Sequence, residues 1–242
     1  MRTLKNVSDV QKLIDSHDAI VFFGGAGVST ESGIPDFRGS DGIYNKKFPY
    51  PAEHYLSYNF FMNRPKDFFE FYHSEILHPD AKPNQCHMYL SDLEKANKLN
   101  AVITQNIDGL HQKAGSKKVL ELHGSVYDNH CVRCGKAFSL NEYVNSYPEL
   151  RCDACGGLIK PDVVLYGEML PQNVLQEAIN CIEQSDLLIV GGTSLNVAPA
   201  NEMHTFAAGK TLLINKTKTS KDIYFDFVYY GKIAETCDKL TI

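Results

Sequence analysis

The sequence predicts an α/β fold: a Rossmann-like parallel sheet with a smaller lobe made of a zinc ribbon and a helical module. Three observations predict it. Short runs rich in Val, Ile, Leu and Phe recur along the chain, as in strands buried on both faces. Amphipathic helical patterns separate many of them, and alternating strand and helix builds a parallel sheet. Two stretches break that rhythm, and one of them carries four paired cysteines.

The expected strands are Ala19–Phe23, Ala101–Thr104, Val119–Leu122, Leu187–Val190, Thr211–Ile214 and Phe225–Tyr229. A helix over Ser8–Ser16 starts from Ser8 as cap, ahead of Val10, Leu13 and Ile14. A second, over Asn84–Leu99, aligns His87, Leu90, Leu93 and Leu99. A third, over Pro171–Gln184, opens on proline and repeats Val174, Leu175, Ala178, Ile179 and Ile182. Residues 39–78 are dense in aromatics and read as irregular or helical; residues 125–159 hold the paired cysteines among glycines and a proline. These two stretches form the small lobe, and 1–38, 79–124 and 160–242 form the main domain, with a ligand cleft between the two.

Composition narrows the function classes. The 242 residues suffice for a full core, at 43% hydrophobic and 22% charged. A net charge of −5 disfavours an obligatory nucleic-acid partner; the basic cluster Lys210–Lys221 is interrupted by Leu, Asn and Thr. The acidic balance suits a lysine-bearing polypeptide, and serves solubility in any case. No apolar run reaches the roughly 18–20 residues of a membrane span, and no secretory signal pattern opens the chain, so the expected compartment is the cytosol. Seven cysteines with no export signal argue against a disulfide framework. Cys86 and Cys181 lie in amphipathic stretches, as core thiols do.

Four segments carry chemistry. The first strand runs into Gly24-Gly25-Ala26-Gly27-Val28-Ser29-Thr30, where small residues permit close backbone approach and a helix starting near Ala26 offers free N–H groups to a pyrophosphate. The dinucleotide fingerprint wants a third glycine where Thr30 stands, so a purely structural turn fits as well. Gly33 and Pro35 then stop the helix, and a loop bearing Phe37 and Arg38 either covers a bound dinucleotide or merely anchors itself. Gln105-Asn106-Ile107-Asp108 follows a strand end, where open parallel sheets bind ligands and where Asn and Asp also form turns. His123 stands at a strand end before Gly124, placed to act as a base near neutral pH. Cys131-x-x-Cys134 and Cys152-x-x-Cys155, seventeen residues apart, have the spacing of a tetrahedral four-thiolate zinc site, which leaves no open position and is structural. His130 is not needed there.

The string Gly25 to Arg38 resembles the cofactor motif of the sirtuins, NAD-dependent protein deacylases, here of the bacterial single-domain type. The likeness runs from about residue 7 to 235. Gly24 departs from it, where the family often has Thr. The resemblance implies NAD as a consumed co-substrate, with Gly25, Ala26, Gly27, Thr30, Phe37 and Arg38 at the cofactor. Gln105 and Asn106 are then at the ribose beside nicotinamide, with Asn106 also catalytic, and Ile107 and Asp108 line the nicotinamide pocket. His123 is the implied catalytic base, also touching cofactor, and His111 is structural. The cysteines match the family's zinc ribbon. Lys160 to Pro171 is similar to the segment that pairs with the substrate peptide and walls the acyl-lysine tunnel, which implies Val163, Tyr166, Gly167 and Glu168 at the substrate; Tyr166 replaces the usual Phe. Gly191 to Ala200 resembles a further string, placing Thr193 and Ser194 at phosphate and ribose and Asn196 and Val197 at the peptide. Asn215 resembles the adenosine-ribose contact, and Ile233 an adenine contact.

The implied activity is NAD-dependent protein-lysine deacetylation on acetylated proteins or peptides, releasing nicotinamide and O-acetyl-ADP-ribose. Some relatives that remove acidic acyl groups pair a Tyr with an Arg three residues later. Here Tyr72 is followed by Glu75, which favours acetyl or another neutral acyl group. Alternatives are protein mono-ADP-ribosyl transfer, an NAD-dependent dehydrogenase, and a non-catalytic zinc-ribbon binding module.

Overall fold

The computed structural model describes residues 1–39 and 42–242. In chain order its strands are β1 (Arg2–Thr3), β2 (Ile20–Gly24), β3 (Leu99–Thr104), β4 (Val119–Glu121), β5 (Gly124–Cys131), β6 (Ala137–Ser139), β7 (Ile159–Val163), β8 (Leu187–Gly191), β9 (Lys210–Asn215) and β10 (Phe227–Tyr230). Seven of them pair in parallel in the order β1-β10-β9-β8-β2-β3-β4. Every residue of β2 and β8 is buried, which is why those strands read as unbroken apolar runs. From β2 the chain builds outward through β3 and β4, then returns to add β8, β9 and β10 on the other side. The order therefore reverses between β2 and β8, and open α/β sheets bind ligands outside the strand ends at such a reversal.

Two apolar clusters cover the sheet. Phe22, Val102 and Ile189 pack with Leu90 and Leu93 on one face; Phe23, Ile103 and Leu188 pack with Ala178 and Ile182 on the other. Cys86 and Cys181 are buried, as expected, and so is Cys237. No helix among the described residues is long and apolar enough to cross a membrane.

Several boundaries differ from the sequence reading. The first helix is Val7–Asp15, capped by Asn6, whose side chain accepts from the Asp9 amide; Ser8 lies inside the first turn. The second is Gln85–Lys95, capped by Asn84; Asn97 takes a left-handed φ of 59°, and Leu99 opens β3. The third is Gln172–Glu183, with Pro171 as its cap residue. The two-residue edge strand β1 is exposed and carries no apolar run, so the sequence gives no sign of it.

The 39–78 stretch forms short helices, Ala52–Tyr55, Tyr58–Asn63 and Pro65–Phe71, continued by a wide turn over Tyr72–Ile76. Its aromatics make a separate core: Tyr55 stacks on Phe71 at 4.4 Å, and Phe68 on Tyr72 at 5.5 Å. Tyr143, from the helix Leu140–Asn145, closes that core against Phe69 and Tyr72. Beside it stands a small antiparallel sheet, β6-β5-β7, which the sequence reading did not foresee.

Candidate active site and metal centre

Gly25 and Gly27 face the loop after β8. The Gly25 amide donates to Gly191 O at 3.2 Å and the Gly27 amide to Gly192 O at 2.7 Å. A side chain on Gly27 would come within 2.7 Å of that oxygen. Gly192 has φ +59°, and a Cβ there would lie 2.5 Å from the Val28 amide. The glycines thus first serve the mutual approach of two loops at the strand reversal. The helix expected at Ala26 is only two short turns, Ala26–Val28 and Thr30–Ser32. The left-handed Gly33, with φ 84°, ends the second turn.

Ser29 is buried and central. Its hydroxyl donates to Asp108 Oδ2 at 2.6 Å and accepts from Asn106 Nδ2 at 3.0 Å. Asp108 Oδ1 takes the Leu110 amide, and Thr104 Oγ1 takes the Asn106 amide. Ser29 lies inside the Gly25–Arg38 string, where nothing in the sequence distinguishes it from its polar neighbours. A buried Ser facing an Asn-x-Asp loop is visible only once both loops are in place.

A second network starts at His123. It lies in the turn between β4 and β5, not at the end of a strand. Its Nδ1 is 2.9 Å from Gln105 O. A carbonyl only accepts, so Nδ1 carries the proton and Nε2 keeps the lone pair of the neutral ring. Burial holds the imidazole below its ordinary pKa, against the opposing effect of the Gln105 bond. Thr193 Oγ1 donates to Gln105 Oε1 at 3.0 Å. Asn215 receives the Thr193 amide on Oδ1 and donates through Nδ2 to Thr193 O. Three strand ends are thereby tied together.

The loop after Gly33 brings Phe37 and Arg38 onto Tyr44: Phe37 lies 5.4 Å from that ring, and the Arg38 guanidinium sits 4.8 Å over it. Thr30, Arg38 and Ser194 are exposed. Ile107 is half-buried against the small-lobe core. Ile233 is buried, its side chain in the main core and close to Gly191. Val163 belongs to the small-lobe core. Glu168 turns inward: its carboxylate takes the Leu165 amide and the ammonium of buried Lys160 at 2.9 Å. Gly167, Asn196 and Tyr166 are exposed, and Val197 is half-exposed. Glu75 is no bare carboxylate, because Lys46 pairs with it at 2.6 Å; Tyr72 is fully buried.

The four cysteines converge, all their sulfurs within 4.8 Å of one another. Cys131 and Cys155 approach to 3.4 Å, and Cys134 and Cys152 to 3.7 Å. A tetrahedron with Zn–S of about 2.3 Å has edges of about 3.8 Å, so the set fits zinc. The amides of Arg133 and Gly157 point at Cys131 and Cys155 sulfurs, both at 3.4 Å, as thiolates require. His130 pairs instead with Asp162.

Comparison with known proteins agrees with this geometry. The model of the Sir2 family matches residues 25–199. The chain belongs to the Sir2, or sirtuin, family. A protein of Clostridium acetobutylicum named NAD-dependent protein deacetylase is 49% identical over 243 residues, covering 98% of this chain and 99% of its own. One of Clostridium tetani with the same name is 52% identical, covering 92% and 90%. A solved Sir2 with a p53 peptide and NAD+ superposes at a TM-score of 0.88 with 37% identity, covering 97% of each chain.

Behind the Asp108 loop of this sirtuin lie His87 and His111, fully buried with rings 4.7 Å apart. Burial pushes His87 down to about 4 and His111 well below its ordinary value. Below about pH 6.5 the unfolded chain binds protons that the folded chain refuses, so stability present above that pH is lost as pH falls toward 4. With two such groups the slope reaches about 2.7 kcal/mol per pH unit. Denaturant melts at several pH values should show this steep acid limb, and His87→Gln should shallow it; an unchanged slope refutes the assignment.

Proposed function

We propose that this chain is an NAD-dependent protein-lysine deacetylase, releasing nicotinamide and O-acetyl-ADP-ribose from NAD and an acetylated protein. One observation carries the reading: His123 is held through Nδ1 by Gln105 O, with no bond to Nε2 among the described residues, and the Gln105 side chain joins Thr193 after β8, at the sheet reversal. Its relatives are named for this activity, and one solved Sir2 holds 2'-O-acetyl-ADP-ribose with a deacetylated p53 peptide.

NAD, when bound, supplies the ribose–nicotinamide bond that the acyl oxygen displaces, so it is consumed and not reduced. Gly25, Ala26, Gly27, Thr30, Thr193, Ser194 and Asn215 hold the dinucleotide end, with Ile233 at the adenine. Phe37 and Arg38 cover the cofactor and exclude water. Asn106, Ile107 and Asp108 hold the nicotinamide end, oriented by Ser29. Nε2 of His123 accepts the proton of a ribose hydroxyl. Val163, Tyr166 and Gly167, with Asn196 and Val197, receive the peptide, and Lys160 with Glu168 fixes the shape of that segment. The four cysteines hold a structural zinc with no open position. The substrate acyl group is neutral, because the cation nearest Glu75, Lys46, is already engaged. The division into a main domain and a small lobe follows the 39–78 and 125–159 boundaries, and the working compartment is the cytoplasm, where seven unpaired cysteines persist.

Mass spectrometry of an acetyl-lysine peptide incubated with the protein, with and without NAD, tests the activity. NAD-dependent loss of acetyl with O-acetyl-ADP-ribose formed supports it. An unchanged peptide with NAD consumed and ADP-ribose on protein replaces it with ADP-ribosyl transfer. Ser29→Ala leaves the Asn106 amide and one Asp108 oxygen without their partner, and kcat/KM should fall about tenfold or more. A rate within twofold of the parent removes Ser29 from the site.

A further inference from the structure

We propose that the hydroxyl pair of Tyr44 and Tyr166 ties the cofactor-covering loop to the substrate segment, which makes Tyr166 a positioning residue for NAD and a guard against water. The proposal rests on the deacetylase reading above. The two hydroxyl oxygens are 2.7 Å apart. Tyr44 belongs to the covering loop: its amide donates to Phe37 O at 2.9 Å, its ring packs on Phe37, and Arg38 lies over it. Burial, and next the bond to Tyr166, raise the pKa of Tyr44, so its hydroxyl stays protonated.

Tyr166 sits on the substrate side. Its amide donates to Leu56 O at 2.9 Å, and its carbonyl accepts from the Tyr58 amide at 3.0 Å. The backbone is therefore fixed without the hydroxyl, and the residue remains 42% exposed. Bonds from Gly39 and Ile43 to Asp36 and from Asn45 to Gly39 are internal to the loop, and its other ties run away from the substrate segment: Glu31 accepts the Ala234 amide, Ser32 accepts from Asn84, and Lys46 pairs with Glu75. Among the described residues the Tyr44–Tyr166 contact is the one hydrogen bond between residues 31–46 and 160–170. Phenylalanine, which the resemblance leads one to expect at 166, cannot make it.

A loop freed of this tie closes less often over the cofactor. Water then reaches the ribose carbon: a C–O bond forms, the bond to nicotinamide breaks with its electron pair leaving on nicotinamide, and the water proton passes to solvent. NAD is spent without freeing lysine.

The test uses Tyr166→Phe, Tyr44→Phe and the double variant, each lacking only hydroxyls. Nicotinamide released per lysine freed, and KM for NAD and for an acetylated peptide, are measured. The expected result is a three- to tenfold rise in KM for NAD, larger than any rise for peptide, with the nicotinamide-to-lysine ratio climbing above that of the parent. The double variant should match either single one, since both remove the same bond. An unchanged ratio and NAD KM in Tyr166→Phe, or additive effects in the double variant, overturn the proposal. A parent protein that frees no lysine overturns the deacetylase reading instead. Calorimetric NAD binding then still decides the tie: weaker in Tyr166→Phe supports it, equal affinity overturns it.

Discussion

His123→Ala lowers deacetylation by about 10²–10⁴-fold, the range for loss of a positioned general base. The loss should fall on kcat, because the proposed role of the side chain is to take a proton and not to hold the peptide. The variant should still exchange labelled nicotinamide into NAD when acetylated peptide is present, since nicotinamide departs before the base is needed. It should also keep its melting temperature within a few degrees: among the described residues His123 makes one ring bond, to Gln105 O. The parent's rate gives a second check. The proposed base works as neutral imidazole, and burial holds the His123 pKa below the ordinary value. The rate is thus flat through neutral pH and falls only as pH drops below the usual imidazole range. Glu121, pushed up to about 7 chiefly by burial, titrates nearby, so the profile is compared with that of Glu121→Gln. If His123→Ala retains a rate within tenfold of the parent, the base lies elsewhere.

The central sheet was legible because its inner strands β2, β3 and β8 are apolar along most of their length, and the site because its residues fall in contiguous strings at strand ends. What was not legible depended on partners distant in sequence. Gly27 reads as a phosphate-loop glycine, yet its closest constraint is the carbonyl of Gly192, 165 positions later. Ser29 reads as one polar residue among several, until the Asn106 and Asp108 side chains meet on it. Glu168 reads as a substrate residue but is drawn inward by Lys160, whose buried ammonium also holds the Val163 carbonyl. The small sheet escaped because β6 has three residues and β5 is interrupted by polar positions, with Asp128 exposed. Helix ends shifted by one to four residues where Asn6 and Asn97, rather than the expected residues, set the boundaries.

Removing zinc should cost more than removing the base, and by a different route. The purified protein should hold one zinc per chain, measured by elemental mass spectrometry. Cys131 and Cys152 are buried in the small-lobe core with Leu150, Ile159 and Tyr143. Cys152→Ala deletes a ligand and opens that core, so the lobe should unfold or the protein precipitate. Cys134 is exposed, and Cys134→Ser should be milder, with zinc retained weakly and the melting temperature lowered by several degrees. The damage reaches the active site through β7: its last residue, Val163, pairs with Gly124 beside His123, and the chain continues into the substrate segment. Activity and melting temperature should therefore fall together in the cysteine variants, whereas His123→Ala loses activity alone. Cobalt in place of zinc separates structure from chemistry, because a four-thiolate shell gives either ion the same closed tetrahedron. A cobalt protein of unchanged kcat supports a structural metal. A kcat that shifts with the ion while the fold holds would mean that the metal takes part in the reaction.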